Sequence, residues 1–166
     1  MGVVVLIAVT LAFLVRSCTR SVGPSTILAI VEHESSAHSY AIGDNTAHRA
    51  YYPRRYDEAV RLASELVERE HDIDLGYMQV NIETVRAAGL DVASALDPCT
   101  NLELGSEILR ADYAHAEQRW GPGQGALARA LSEYNSGGYE RAQYAREVYL
   151  CAARLARANA SRALAR

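Results

Sequence analysis

Two glutamates, Glu32 and Glu34, stand two residues apart in the apolar stretch Ile27–Leu28–Ala29–Ile30–Val31–Glu32–His33–Glu34–Ser35. Ile27, Ile30, Val31 and Glu34 recur at the i, i+3, i+4, i+7 spacing of one helix face. At about 100° per residue, Glu34 falls within roughly 20° of Ile27, while Glu32 points to nearly the opposite side. One carboxyl is therefore aimed at an interior or a cleft and its neighbour at water. A carboxyl on an apolar face holds its proton to higher pH, as a general acid working near neutrality requires. The alternative is a helix that ends at Glu34 and lets it swing into solvent, and periodicity does not choose between the two. His33–Glu34–Ser35–Ser36–Ala37–His38 has the look of a zinc-protease signature. Its histidines are five apart and diverge by roughly 140° on a helix, so they share no face. No metal site is legible in the spacing, and no cofactor is expected.

Pro24 suits a first helical turn, with Ser25 and Thr26 beside it at the start. After this helix, 36–56 reads as an irregular connection, long enough to be functional or mobile. Asp57 is placed to N-cap a helix whose apolar face is Ala59, Leu62, Ala63, Leu66 and Val67. Ile73–Asp74–Leu75–Gly76–Tyr77–Met78–Gln79–Val80–Asn81 alternates in part and contains a glycine, which suggests a short strand or hairpin. Short helices follow over 82–88 and 92–96. Asp97–Pro98–Cys99–Thr100–Asn101 turns into a helix running to about Arg119, with Leu102, Gly105, Ile108 and Leu109 inward. A break at 120–125, a short helix over 126–132 leading into Tyr134–Asn135, and a last alanine-rich helix from Tyr139 to about Ala163 complete the chain. The 166 residues fit one domain, mainly α with at most a small β element. A net charge of −3 argues against a general nucleic-acid binder, and ten tyrosines suit a sugar-binding groove.

Val3 to Val15 is an almost unbroken apolar run stopped by Arg16. It is short of the ~20 residues of a membrane span and suits the core of an export signal, although no Lys or Arg precedes it. Residues 1–12 are expected to be removed, which leaves no stable membrane span; a second reading makes Phe13–Cys18 part of the first helix. An exported chain would oxidise two of its three cysteines. Cys18 and Cys99 lie beside proline-containing bends at helix starts, whereas Cys151 sits in a helical pattern, so the first two are the expected pair.

Glu34–Ser35, Gly76–Tyr77–Met78–Gln79, Tyr134–Asn135 and Tyr144–Ala145–Arg146–Glu147–Val148 stand in an order that resembles the lysozyme-like lytic transglycosylases. Cys18–Thr19–Arg20–Ser21–Val22–Gly23–Pro24, Ala41–Ile42–Gly43–Asp44–Asn45 and Asp97–Pro98–Cys99–Thr100–Asn101–Leu102 are similar to the branch serving type IV secretion and conjugation. The resemblance implies a lysozyme-like fold of the goose-lysozyme and soluble-transglycosylase type over 13–150, with 151–166 as helix end and basic tail. It implies Glu34 as the single catalytic acid and base. Cleavage would fall at the β-1,4 bond between N-acetylmuramic acid and N-acetylglucosamine in peptidoglycan, with closure of a 1,6-anhydro ring. Around the sugar it places Ser35, Gly76, Tyr77 (where leucine is usual), Met78, Gln79, Tyr134 and Asn135, with the Tyr144 hydroxyl reaching the acid. Glu133 stands where the family usually has alanine. The implied partners are peptidoglycan strands and secretion-machine subunits, and the implied compartment is the periplasm. A muramidase using water on the same fold would need a second acid, for which Asp44, Asp72 and Asp74 are candidates. An inactive wall-binding component is a further alternative.

Overall fold

A computed structural model describes residues 11–19 and 21–164. The part of the expected export signal at 1–10 and Arg20 of the cysteine-to-proline motif lie outside these residues. Helical backbone over 11–18 (α1) buries Leu11 and Val15 in the core, so the second reading of the N-terminus describes this helix. α2 (Pro24–Ser35) begins with proline in its first turn and ends where Ser36 turns left-handed. Ile27, Ala29, Ile30 and Val31 are fully buried, and α8 (Ala142–Leu164) packs along the helix.

Residues 36–56 are not irregular throughout. They hold a hairpin of β1 (Ile42–Asp44) and β2 (Arg49–Tyr51), which joins β3 (Ile73–Leu75) and β4 (Val80–Asn81) in an antiparallel sheet ordered β2-β1-β3-β4. Three-residue strands are too short for alternation to declare itself in the sequence. The register places Gly43 opposite Asp74 and Asp74 opposite Asn81, while Ile42, Leu75 and Val80 form the neighbouring row. Because strand side chains alternate, the second row enters the core and the first faces away from it. Ile42, Leu75 and Val80 are buried accordingly.

Arg55, not Asp57, occupies the N-cap position of α3 (Tyr56–Glu68), where no side chain makes a capping bond. Asp57 lies inside the first turn, where it receives a 2.9 Å bond from Arg55 Nε. Asn81 caps α4 (Ile82–Ala87) and Asp91 caps α5 (Val92–Leu96). Asp97 caps α6 (Pro98–Trp120), accepting from the backbone N–H groups of Cys99 and Thr100. α7 (Gln124–Ser136) runs past Ser132, so Tyr134 and Asn135 occupy its last turn before Gly137. The last helix starts at Ala142, three residues later than expected. Among the described residues no helix is long and apolar enough to cross a membrane.

Cys18 and Cys99 form a disulfide that joins the end of α1 to the first turn of α6 across a separation of 81 residues, with Cα atoms 5.4 Å apart. Cys151 is free and buried. Closing so long a loop stabilises the folded chain by about 2–4 kcal/mol through the unfolded state. Reduction, or Cys99→Ser, is expected to lower the thermal midpoint by an amount that matches this range. Cys151→Ser should reproduce none of that loss in the same melting experiment.

Candidate active site

A cleft of about 410 Å³ opens between the sheet and the helices, with Glu34 in its wall. α2 contributes the glutamate. β3 and β4 contribute Asp74, Gln79 and Asn81 around their connecting turn, and the last turn of α7 contributes Tyr134 and Asn135. Glu32 is half-buried rather than turned to water, and its charge acts on Arg154 of α8, outside the cleft. The two glutamates therefore part as the helix geometry requires, but the far side is covered by α8.

Glu34 accepts a hydrogen bond at Oε1 from the Tyr144 hydroxyl of α8. Burial pushes its carboxyl up to about 7, the Tyr144 bond opposes this, and the nearby Asp74 charge adds to it. The desolvation outweighs the hydrogen bond because a half-open carboxylate loses most of its water shell and regains one donor. Tyr144 is almost fully buried, with His33 edge-on to its ring at 5.0 Å, and its hydroxyl is held far above the usual tyrosine range by burial first. It thus remains a donor throughout the neutral range.

Asp74 is raised above the usual carboxylate range, chiefly by burial. Asn45 Nδ2 donates to its Oδ2 and Asn81 Nδ2 to its Oδ1, both at 2.9 Å, and the same two amides bridge to Asp72. Asp44 lies on the core side of β1 and is 1% exposed. It accepts from Ala47 N–H and meets His71 Nδ1 at 3.0 Å, so it is committed to the loop and faces no cleft.

Several residues expected around the sugar are turned inward. Ser35, Gly76, Tyr77 and Met78 are buried and line no part of the cleft. Ser35 Oγ lies 3.0 Å from the carbonyl oxygens of Val31 and Tyr77 and shares its one proton between them, tying the end of α2 to the turn. Gly76 has φ +75°, and a Cβ there would come within 2.5 Å of the Asn101 amide. Gly105 likewise lets α6 close onto Met78, where a Cβ would meet the side chain at 2.6 Å. These residues shape the cleft from behind. Gln79 is at its wall, its Nε2 donating to Gly76 and Ala41 carbonyls. Tyr134 donates its hydroxyl to the Met78 carbonyl at 2.8 Å, and Asn135 is exposed at the rim.

Sequence reasoning missed the part played by Asn101. Fully buried, it accepts from Met78 N–H at 2.8 Å and donates to the carbonyls of Leu75 and Ala95 at 2.8 and 3.0 Å. Its only local signal was a turn motif. A buried amide with backbone partners on a distant strand cannot be read from neighbours in the chain. Asn45 and Asn81 were visible only as parts of longer motifs.

A mainly α domain with a four-stranded sheet beside a cleft, and one tyrosine-bonded glutamate at the end of a central helix, defines a lysozyme-like protein. Residues 12–154 match the model of the Transglycosylase SLT domain, and the chain belongs to that family. It is 34% identical over 124 residues to Protein virB1 of Agrobacterium fabrum, covering 75% of this chain and 50% of that protein. It is 38% identical over 127 residues to the Type IV secretion system protein virB1 of Brucella abortus biovar 1, covering 76% and 53%. Protein virB1 of Rhizobium radiobacter is 33% identical over 126 residues, covering 76% and 52%. The chain thus spans about half the length of these relatives. No solved structure gives a significant match.

The raised Glu34 carboxyl makes stability depend on pH in a defined direction. Its folded-state value of about 7 lies above the ordinary 4.5, so the folded state binds more protons between these limits and loses stability as pH rises through them. Glu34→Gln removes this term. The variant is expected to melt above wild type at pH 8.5, by on the order of 2 kcal/mol after allowance for solvent screening, and the gap should close toward pH 4. Melting curves across that range check it; a gap widest at pH 4 contradicts the burial of the carboxyl.

Proposed function

We propose that this chain is a peptidoglycan lytic transglycosylase with Glu34 as its single acid and base. The observation that carries the reading is a cleft carboxyl held near neutrality by burial and oriented by Tyr144, within a domain of the transglycosylase family. Protonated Glu34 gives its proton to the glycosidic oxygen as the bond to C1 of N-acetylmuramic acid breaks. The resulting carboxylate then takes the proton of that sugar's own C6 hydroxyl, whose oxygen closes the 1,6-anhydro ring onto C1. No second carboxylate is needed, because the nucleophile is already on the substrate. The 2-acetamido group steadies the oxocarbenium-like centre. Tyr144 fixes the carboxyl's orientation and supports its charged form after the first transfer. Gln79, Tyr134 and Asn135 hold the sugars against the sheet, and Asp74 keeps the acid's proton affinity high.

Hydrolysis by water is the second reading, and Asp74 is what favours it: of the three candidate acids, it alone lines the cleft with Glu34. Both of its oxygens already accept asparagine amides, which leaves it poorly placed to activate a water. The name of the similar Brucella protein supports a place beside a type IV secretion apparatus, and the proposed substrate would make local opening of the wall the task and the periplasm the compartment. We propose further that about the first dozen residues are removed on export.

Products of the wild-type enzyme on purified sacculi should end in 1,6-anhydro-N-acetylmuramic acid, one water lighter by mass than hydrolysis products. A reducing muramic end would move the enzyme to the hydrolytic reading, and no release at all would leave a wall-binding component. Glu34→Gln should reduce cleavage by roughly 10²–10⁴-fold, and Glu32→Gln should stay near wild type. The rate should fall above about pH 7 as Glu34 loses its proton. Asp74→Asn should move that limb to lower pH, because it removes a charge that raises the acid.

N-terminal sequencing of the mature protein tests the export proposal. Cleavage near Ala12 would take Leu11 from the core and leave Val15 in it. A mature chain that retains Met1 contradicts removal.

A further inference from the structure

α6 and α7 bring three chemistry-bearing side chains together behind the cleft. Asp112 and His115 are three residues apart on α6 and so share a face, and Glu133 meets them from α7. One ligand atom from each lies within 4.8 Å of the other two. We propose that Asp112, His115 and Glu133 form a binding site for a divalent first-row transition-metal ion, of which Zn²⁺ is the simplest probe.

The independent sign of a missing partner is in the carboxylates themselves. Asp112 is only 9% exposed, and its Oδ2 is shielded from water without a hydrogen-bond partner. Glu133 Oε2 is in the same condition. Among the described residues no arginine forms an ion pair with either, and the nearest basic group is His115, whose Nδ1 is 3.5 Å from Glu133 Oε1. Tyr139 brings its hydroxyl toward Glu133 from the connection after α7. Two adjacent carboxylates, one buried and one half-buried, each with a bare oxygen, are costly unless a proton or a cation takes up the free lone pairs, and burial and the Glu133 charge already push Asp112 up to about 7.

The donor set selects the ion. One imidazole nitrogen and two carboxylate oxygens suit Zn²⁺ and its neighbours better than Ca²⁺ or Mg²⁺, which prefer all-oxygen shells. Donors bonded to one such ion at about 2.0–2.2 Å lie within roughly 4.4 Å of each other, so small rotamer shifts close the set. A carboxylate and histidine three apart on one helix, facing a glutamate on the next, is an arrangement helical bundles use for metals. His115 is 63% exposed, which provides a route in and leaves coordination positions for water. None of the three residues lines the cleft. A bound ion would tie α6 to α7 one residue before Tyr134.

The test is calorimetric titration of the metal-stripped full chain with Zn²⁺ near neutral pH. One equivalent should bind and raise the thermal midpoint, and Co²⁺ in its place should give visible absorption bands from ligation by nitrogen and oxygen. His115→Ala and Glu133→Gln should each weaken binding at least tenfold and abolish the rise in midpoint. The histidine is exposed and the glutamine removes a repulsion, so both variants are expected to fold, which their metal-free melting curves verify. His33→Ala, which alters a separate histidine–carboxylate pair, should leave binding intact. Absence of binding by wild type, or binding that survives both substitutions, overturns the site and leaves His115–Glu133 as an ion pair only.

Discussion

The side chain of Asn101 is the point from which the cleft is built. Its amide reaches out of α6 into the turn between β3 and β4, where it satisfies the Met78 N–H and the Leu75 carbonyl while also holding Ala95. The fit requires Gly76, since any Cβ there would occupy the volume of that amide. Two further helices bind the same turn: Ser35 of α2 at the Tyr77 carbonyl and Tyr134 of α7 at the Met78 carbonyl. Successive backbone groups of one buried turn are thus met by three different helices. Each such bond adds only about 1 kcal/mol net, but leaving a buried one unmade costs more, so the three helices and the turn hold each other in register. Gln79, in a left-handed conformation at φ 46°, is the residue this anchored turn delivers to the cleft wall.

Around Glu34 two opposing effects are balanced. Burial against the α2 core face and the charge of Asp74 favour the protonated acid, while the Tyr144 hydroxyl favours the carboxylate. In the proposed reaction the carboxyl gives and regains a proton, which needs neither form strongly preferred, and a value near 7 is what that balance produces. The sheet contributes at a distance: its register sets Gly43, Asp74 and Asn81 in one row, and the missing side chain of Gly43 makes room for the Gln79 amide.

How much of this was legible depended on whether the cue was local. Helical periodicity placed Glu34 on the apolar face without deciding whether it stayed there, and the prolines at helix starts pointed to the Cys18–Cys99 pair. Most helices were readable because their caps and breaks are marked, as at Asp97–Pro98 and Gly121. The β1–β2 hairpin was not, because strands of three residues hold too little pattern. The Asp57 cap was misplaced because an aspartate two residues from Arg55 serves an ion pair equally well. Motif residues such as Ser35, Tyr77 and Met78 were read as neighbours of the cleft, and their side chains are buried behind it. Sequence marks that a residue matters near the cleft, whereas burial decides whether it touches the cavity or the backbone behind it.

The hydroxyl of Tyr144 and the carboxyl of Glu34 are separated by 110 residues of chain. That span contains the whole sheet and every helix from α3 to α7. A chain ending before α8 would keep Glu34 in its helix, with neither the oriented proton nor the low-dielectric wall that sets its affinity for that proton. Competence for acid chemistry is therefore a property of the finished tertiary structure and belongs to no segment of it. The acid and the group that orients it are brought together only when α8 docks on α2.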